Sequence, residues 1–100
     1  MVKLEYENPK LTAKIIGDID HHTAMSIRER IDLSIESYSP NRLMLDFKDV
    51  TFMDSSGIGL VMGRYKLMRE IGGQVEVVNT SKHIKRVMSL AGLDKLAQIK

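Results

Sequence analysis

The sequence predicts a small mixed α/β fold, and three observations carry that prediction. Apolar and polar residues alternate over the first 17 positions, at Leu4 and Tyr6 and again along Leu11-Thr12-Ala13-Lys14-Ile15-Ile16, which is the period of a strand. After Asp20 the period lengthens: Ala24, Ile27, Ile31, Ile35 and Tyr38 recur at three- and four-residue steps, the stripe of a helix. Short apolar runs and helical stripes then take turns to the end of the chain. Strands alternating with helices imply right-handed crossovers and a mostly parallel sheet, made mixed by the opening pair of strands. Four or five strands are expected, with helices packed on one face, because three helices are too few to cover both sides.

Each element has its own signals. Asn8-Pro9 marks the turn between the first two strands, and Gly17 closes the second. Asp20 is a candidate N-cap for the first helix, which Ser39-Pro40-Asn41 ends. Leu43-Met44-Leu45-Asp46-Phe47 is a nearly continuous apolar run, as in a strand covered on both faces, and Lys48 to Met53 read as a loop. A helix follows from Asp54-Ser55 to about Ile71 and stops at Gly72-Gly73. On it Ile58, Val61, Met62, Tyr65 and Met68 line one side, while Leu60, Leu67 and Ile71 lie nearly opposite. Such a helix is sandwiched between the sheet and a neighbour, the expectation for Leu67 and Ile71, or presents a docking face. Leu60, nearest Ser55, is the candidate to touch a partner. Val75-Glu76-Val77-Val78 reads as a strand, Ser81 as the cap of a third helix carrying Ile84, Val87, Met88 and Ala91, and Gly92 as its stop. Leu96 to Ile99 would add a short last strand.

Composition narrows the function classes. One hundred residues, 43% hydrophobic and 28% charged, suit one globular domain over 1–100. The net charge of +2 is small and its basic residues are scattered, so direct binding of nucleic acid is not expected. Without cysteine there is no disulfide and no thiolate metal site. No apolar run approaches the roughly 18 residues that span a bilayer, and the charged start is unlike a signal peptide. The expectation is a cytoplasmic protein with no membrane partner.

The informative stretch is Phe52-Met53-Asp54-Ser55-Ser56-Gly57-Ile58-Gly59-Leu60, where a strand gives way to a helix. Free backbone N–H groups and the positive end of the helix dipole lie beside Ser55 and Ser56 there. Plain capping is one reading, since Asp and Ser are common N-caps. But a cap needs one polar side chain and three stand in a row, so a neighbouring hydroxyl is free to face solvent. Gly57 and Gly59 each cost about 0.8–1 kcal/mol relative to alanine in a helix. They make sense where another backbone or a phosphate comes close, or where the helix packs tightly on the sheet. Gly57, Gly59 and Gly63 are spaced one residue too long for a dinucleotide fingerprint, and no phosphate-binding loop motif occurs.

This stretch resembles the signature of bacterial anti-sigma factor antagonists, which carry the STAS fold. Gly17-Asp18-Ile19-Asp20-His21-His22-Thr23-Ala24, Gly63-Arg64-Tyr65-Lys66, Ile71-Gly72-Gly73 and Leu90-Ala91-Gly92-Leu93 are similar to its sporulation branch, the anti-sigma F factor antagonists, and extend the resemblance over essentially the whole chain. The resemblance implies a partner-switching cycle. The unphosphorylated protein binds an anti-sigma factor that is also a serine kinase, and the sigma factor is released. The kinase phosphorylates the antagonist, which dissociates, and a metal-dependent serine phosphatase resets it. The acceptor by resemblance is the serine after the aspartate, Ser55. Asp20, Asp54, Ser56, Gly57, Ile58, Gly59 and Leu60 are the candidates for the surface that meets the kinase. ATP belongs to the partner, and no cofactor, metal or catalytic residue is expected in this chain.

Other classes fare worse on the residues. Adjacent His21 and His22 on a helix would point about 100° apart, a poor metal site. Ser55, His22 and Asp20 have the residue types of a hydrolase triad but no nucleophile elbow. A phosphorylated-aspartate receiver needs an acidic residue at a strand end and a lysine beyond a later strand. Here Asp46 lies inside its strand, and no lysine directly follows Val78. A STAS scaffold or ligand-sensing module in another pathway is the remaining alternative.

Overall fold

The computed structural model describes residues 1–100. Strands β1 (Val2–Glu7) and β2 (Lys10–Ile19) form an antiparallel pair, and the chain continues through α1 (Ala24–Tyr38), β3 (Arg42–Met53), α2 (Ser55–Glu70), β4 (Gln74–Val78), α3 (Lys82–Leu90), a 3₁₀ turn at Leu93–Lys95 and β5 (Gln98–Ile99). The five strands lie in sequence order, and every pair after the first is parallel. Successive right-handed crossovers stepping one way along a sheet keep their helices on one side. Burial agrees. Leu11, Ala13 and Ile15 of β2, Leu43, Leu45 and Phe47 of β3, and Val75 and Val77 of β4 are buried, together with Ile27, Ile31 and Ile35 of α1 and Ile84 and Met88 of α3. The alternate positions face the other way and carry charge: Lys14 pairs with Asp49 at 3.2 Å, and Glu76 takes Arg42 at 3.2 Å and Lys100 at 2.6 Å.

Three expectations need correction. β3 is not covered on both faces, since Met44 and Asp46 are only half-buried. It also does not stop at Phe47: the expected loop 48–53 is strand, paired with β2 through Ile16↔Asp49, Gly17↔Val50, Asp18↔Phe52 and Ile19↔Met53. Register shifts between Lys14 and Ile16 and between Gly17 and Asp18 each place an extra residue on β3. Each extra residue flips the phase of a period-2 pattern, so no alternation is visible over 48–53. Third, Ile71 is not sandwiched. α2 ends at Glu70, Gly72 turns the chain with φ 79°, and Ile71 is carried into solvent. Leu67 is half-buried. The second side of α2 is Leu60 and Arg64, both buried, with Leu67 packed against the core as expected.

Candidate functional site

β2 and β3 run past β4 and end together, with the Asp54 amide donating to the Ile19 carbonyl at 3.0 Å. This bond brings the turn after β2 beside the start of α2. Asp54 alone caps α2: its backbone is extended and its carboxylate accepts from the Ser56 amide at 2.8 Å. The serines are thereby released from capping. Ser55, the first helical residue, is exposed, and Ser56 is half-buried.

Asp20 does not cap α1 itself. The N-cap position belongs to Thr23, which makes no side-chain cap bond. A helical turn forms one step earlier, with the Ala24 amide donating to the Asp20 carbonyl at 2.8 Å. Asp20 Oδ1 accepts from the His22 and Thr23 amides at 2.9 and 3.0 Å, and the Asp20 amide donates to Thr23 Oγ1 at 3.0 Å. The hydrogen bond from the Thr23 amide is the main influence holding the Asp20 carboxyl below its usual range, so it stays ionised. Next to it, Thr51 Oγ1 donates to Asp18 Oδ1 at 2.7 Å and ties the end of β3 to β2. His21 and His22 lie in the turn, not on the helix, and their rings approach to 4.0 Å. No group of three or more His, Cys, Asp and Glu side chains gathers as a metal site.

The glycines of α2 differ in what they serve. A Cβ at Gly57 would run into Met53 Cγ and Sδ, so the bare backbone lets β3 turn tightly under the helix. A Cβ at Gly59 would meet nothing within 4 Å. Gly59 is exposed and no contact inside the chain accounts for it. The accessible members of the predicted site are therefore Asp20, Asp54, Ser55, Ser56, Ile58 and Gly59. Gly57 is buried, and Leu60, 4% exposed, packs beneath the site more than it displays itself. Phe52, which opens the informative stretch but is not among the partner-surface candidates, is 53% exposed three residues before Ser55. Sequence reasoning missed the pair between buried Arg64 and half-buried Asp32, whose Nε and Oδ1 lie 2.8 Å apart between α2 and α1. Each is displaced toward its neutral form, Asp32 upward and Arg64 downward, because loss of solvent outweighs their mutual attraction. An arginine at a helix position flanked by apolar residues was the available signal.

A small mixed sheet with helices on one side and a serine raised at the head of the central helix defines a class, and the family model for the STAS domain matches residues 2–100. The chain belongs to the STAS domain family. It is 33% identical over 98 residues to the anti-sigma F factor antagonist of Paenibacillus polymyxa, covering 98% of this chain and 84% of the relative. Among solved structures it is similar to the anti-sigma factor antagonist SpoIIAA in its unphosphorylated form, with a TM-score of 0.86 and 28% identity over 100% of this chain and 88% of that one. It is also similar to the Bacillus cell fate determinant SpoIIAA in the phosphorylated form, with a TM-score of 0.79 and 28% identity over 100% and 91%.

Proposed function

We propose that this chain is an anti-sigma factor antagonist switched by phosphorylation of Ser55. Its unphosphorylated form binds an anti-sigma factor that is also a serine kinase and so frees a sigma factor. The observation that carries the reading is the division of labour at the head of α2, where Asp54 takes the capping role and leaves the Ser55 hydroxyl exposed. Support comes from relatives named as anti-sigma factor antagonists and from a similar protein solved in unphosphorylated and phosphorylated forms. In the transfer, Ser55 Oγ forms a bond to the γ-phosphorus of ATP held by the kinase. The β,γ-bridging bond breaks, ADP leaves, and the serine proton passes to a base of the kinase. This chain supplies the acceptor and performs no catalysis. A serine phosphatase resets the chain by hydrolysing the phosphoester, with water attacking phosphorus, inorganic phosphate leaving and the Ser55 hydroxyl restored, and the cycle runs in the cytoplasm.

A phosphoserine brings about −1.5 to −2 charges at neutral pH. The positive end of α2, equivalent to about half a charge, favours that dianion, while the Asp54 carboxylate opposes it. The fold therefore has little reason to change. A docked surface bearing nucleotide phosphates or carboxylates meets the new charge at close range, and each 1.4 kcal/mol of repulsion weakens binding about tenfold. The test is incubation with the cognate kinase and ATP, followed by peptide mapping and binding measurements. Phosphate on Ser55 and loss of the complex are expected, with Ser55→Ala remaining bound in the presence of ATP. Phosphate on Ser56 alone would overturn the acceptor assignment. Absence of both binding and phosphate would overturn the function.

A further inference from the structure

Between the first turns of α1 and α2 lies a groove of about 320 Å³ lined by residues that include His21, Met25, Arg28, Ser56, Gly59 and Leu60. At about 30 Å³ each it holds roughly ten waters, enough room for a large side chain. Met25 on its α1 wall is 60% exposed and outside the core. Gly59 on the α2 wall leaves bare backbone that nothing in the chain covers. At the lip stands Arg28, which takes part in none of the chain's four ion pairs. Its helical neighbour one turn on is Asp32, a natural partner at that spacing. The buried Arg64 takes the close contact with Asp32, at 2.8 Å, and Arg28 reaches that carboxylate only by a longer-range attraction. An arginine without an ion-pair partner, an exposed methionine and an uncovered glycine thus share one concave surface.

We propose that this groove receives a segment of the anti-sigma factor kinase in which a carboxylate meets Arg28 and an adjacent apolar side chain lies over Met25, with the buried Leu60 as the floor. The proposal rests on the reading of Ser55 as the acceptor. Ser56 lines the groove and adjoins Ser55 in the chain, so a kinase that presents ATP to Ser55 stands at the groove's edge. Charge at an interface sets partner choice and encounter rate, and a mismatch there rejects wrong partners. Arg28 and Met25 are then specificity-determining residues on α1, outside the segment that carries the phosphate.

Calorimetric titration of the unphosphorylated full chain with the purified cognate kinase tests this, with circular dichroism checking each variant's fold. Arg28→Glu is expected to weaken binding tenfold or more, Arg28→Lys less than threefold, and Met25→Ser several-fold. Lys85→Glu, a charge reversal of the same size on exposed α3, is expected to leave affinity within twofold. If Arg28→Glu fails to fold, Arg28→Gln takes its place, with a loss of fivefold or more expected. Parent-like binding by the Arg28 variant, or an equal loss from Lys85→Glu, overturns the groove while phosphorylation of Ser55 in the parent upholds the wider reading. If the parent is neither bound nor phosphorylated, both fall.

Discussion

At the residue scale, Asp54 and Ser55 are neighbours with separable jobs, and substitution should separate them. Removing an N-cap side chain costs about 0.5–2 kcal/mol. Asp54→Ala should therefore lower stability by about 1 kcal/mol in urea unfolding, and Asp54→Asn by much less, because the amide oxygen still accepts from the Ser56 amide. Ser55→Ala should stay within about 0.5 kcal/mol of the parent, as exposed substitutions do. A large loss from Ser55→Ala would mean that its hydroxyl is structural. The sequence pointed to this neighbourhood because consecutive polar residues at a helix start exceed what a cap needs. Asp20 caps as its residue type suggests, but it caps the turn Asp20–Thr23 that leads into α1 and not the first residue of α1, an extra helical step that no residue pattern announces. Arg28 went unnoticed for a different reason: its lack of an ion-pair partner depends on where Arg64 reaches from another helix.

Among the elements, the α1–α2 contact is closed by a pair that burial disfavours on both sides. Asp32→Ala would strand the Arg64 charge in a site only 6% exposed. Breaking a fully buried pair costs about 3–5 kcal/mol, and with Asp32 half-buried a loss of about 2–3 kcal/mol is expected. The double variant Asp32→Leu/Arg64→Met should be at least as stable as the parent, since both desolvated charges disappear together. Thermal unfolding of the single and double variants checks the two expectations. Strand and helix periods made most elements legible from the sequence, including the Ser81 cap of α3, whose hydroxyl accepts from the Ile84 amide at 3.1 Å. The far half of β3 stayed hidden, because bulges erase the very alternation by which strands are recognised.

On the scale of the whole molecule, Glu76 joins three strands by taking Arg42 from β3 and Lys100 from just beyond β5. The Lys100 hydrogen bond chiefly holds its carboxyl below the ordinary range, with both cations adding to the effect. A carboxylate shifted this way adds stability that is complete above the unfolded-state value and is lost as pH falls through the folded one. Glu76 is buried while its two cations are half-exposed, so Glu76→Gln should cost about 1–2 kcal/mol near neutrality, between the ranges of exposed and buried pairs. Below the folded value the two curves should merge, as pH-dependent denaturation would show. Ser55→Asp should keep the circular dichroism spectrum and shift the unfolding midpoint by no more than a few degrees, while losing affinity for the kinase. A collapsed tertiary structure in that variant would contradict a switch acting at the docking surface.

The sheet is five strands wide at Met44 and Leu45 but has thinned to β2 and β3 by the time it reaches Met53. Protein regions open locally at free energies set by how many contacts hold them, often well below the global value. Amides of Asp49 to Met53 should therefore exchange with deuterium sooner than those of Leu43 to Leu45. Under the proposed function, the end of the sheet that carries Ser55 then adapts to a docked partner on a timescale that leaves the interior closed, which suits a surface that meets a kinase and a phosphatase in turn.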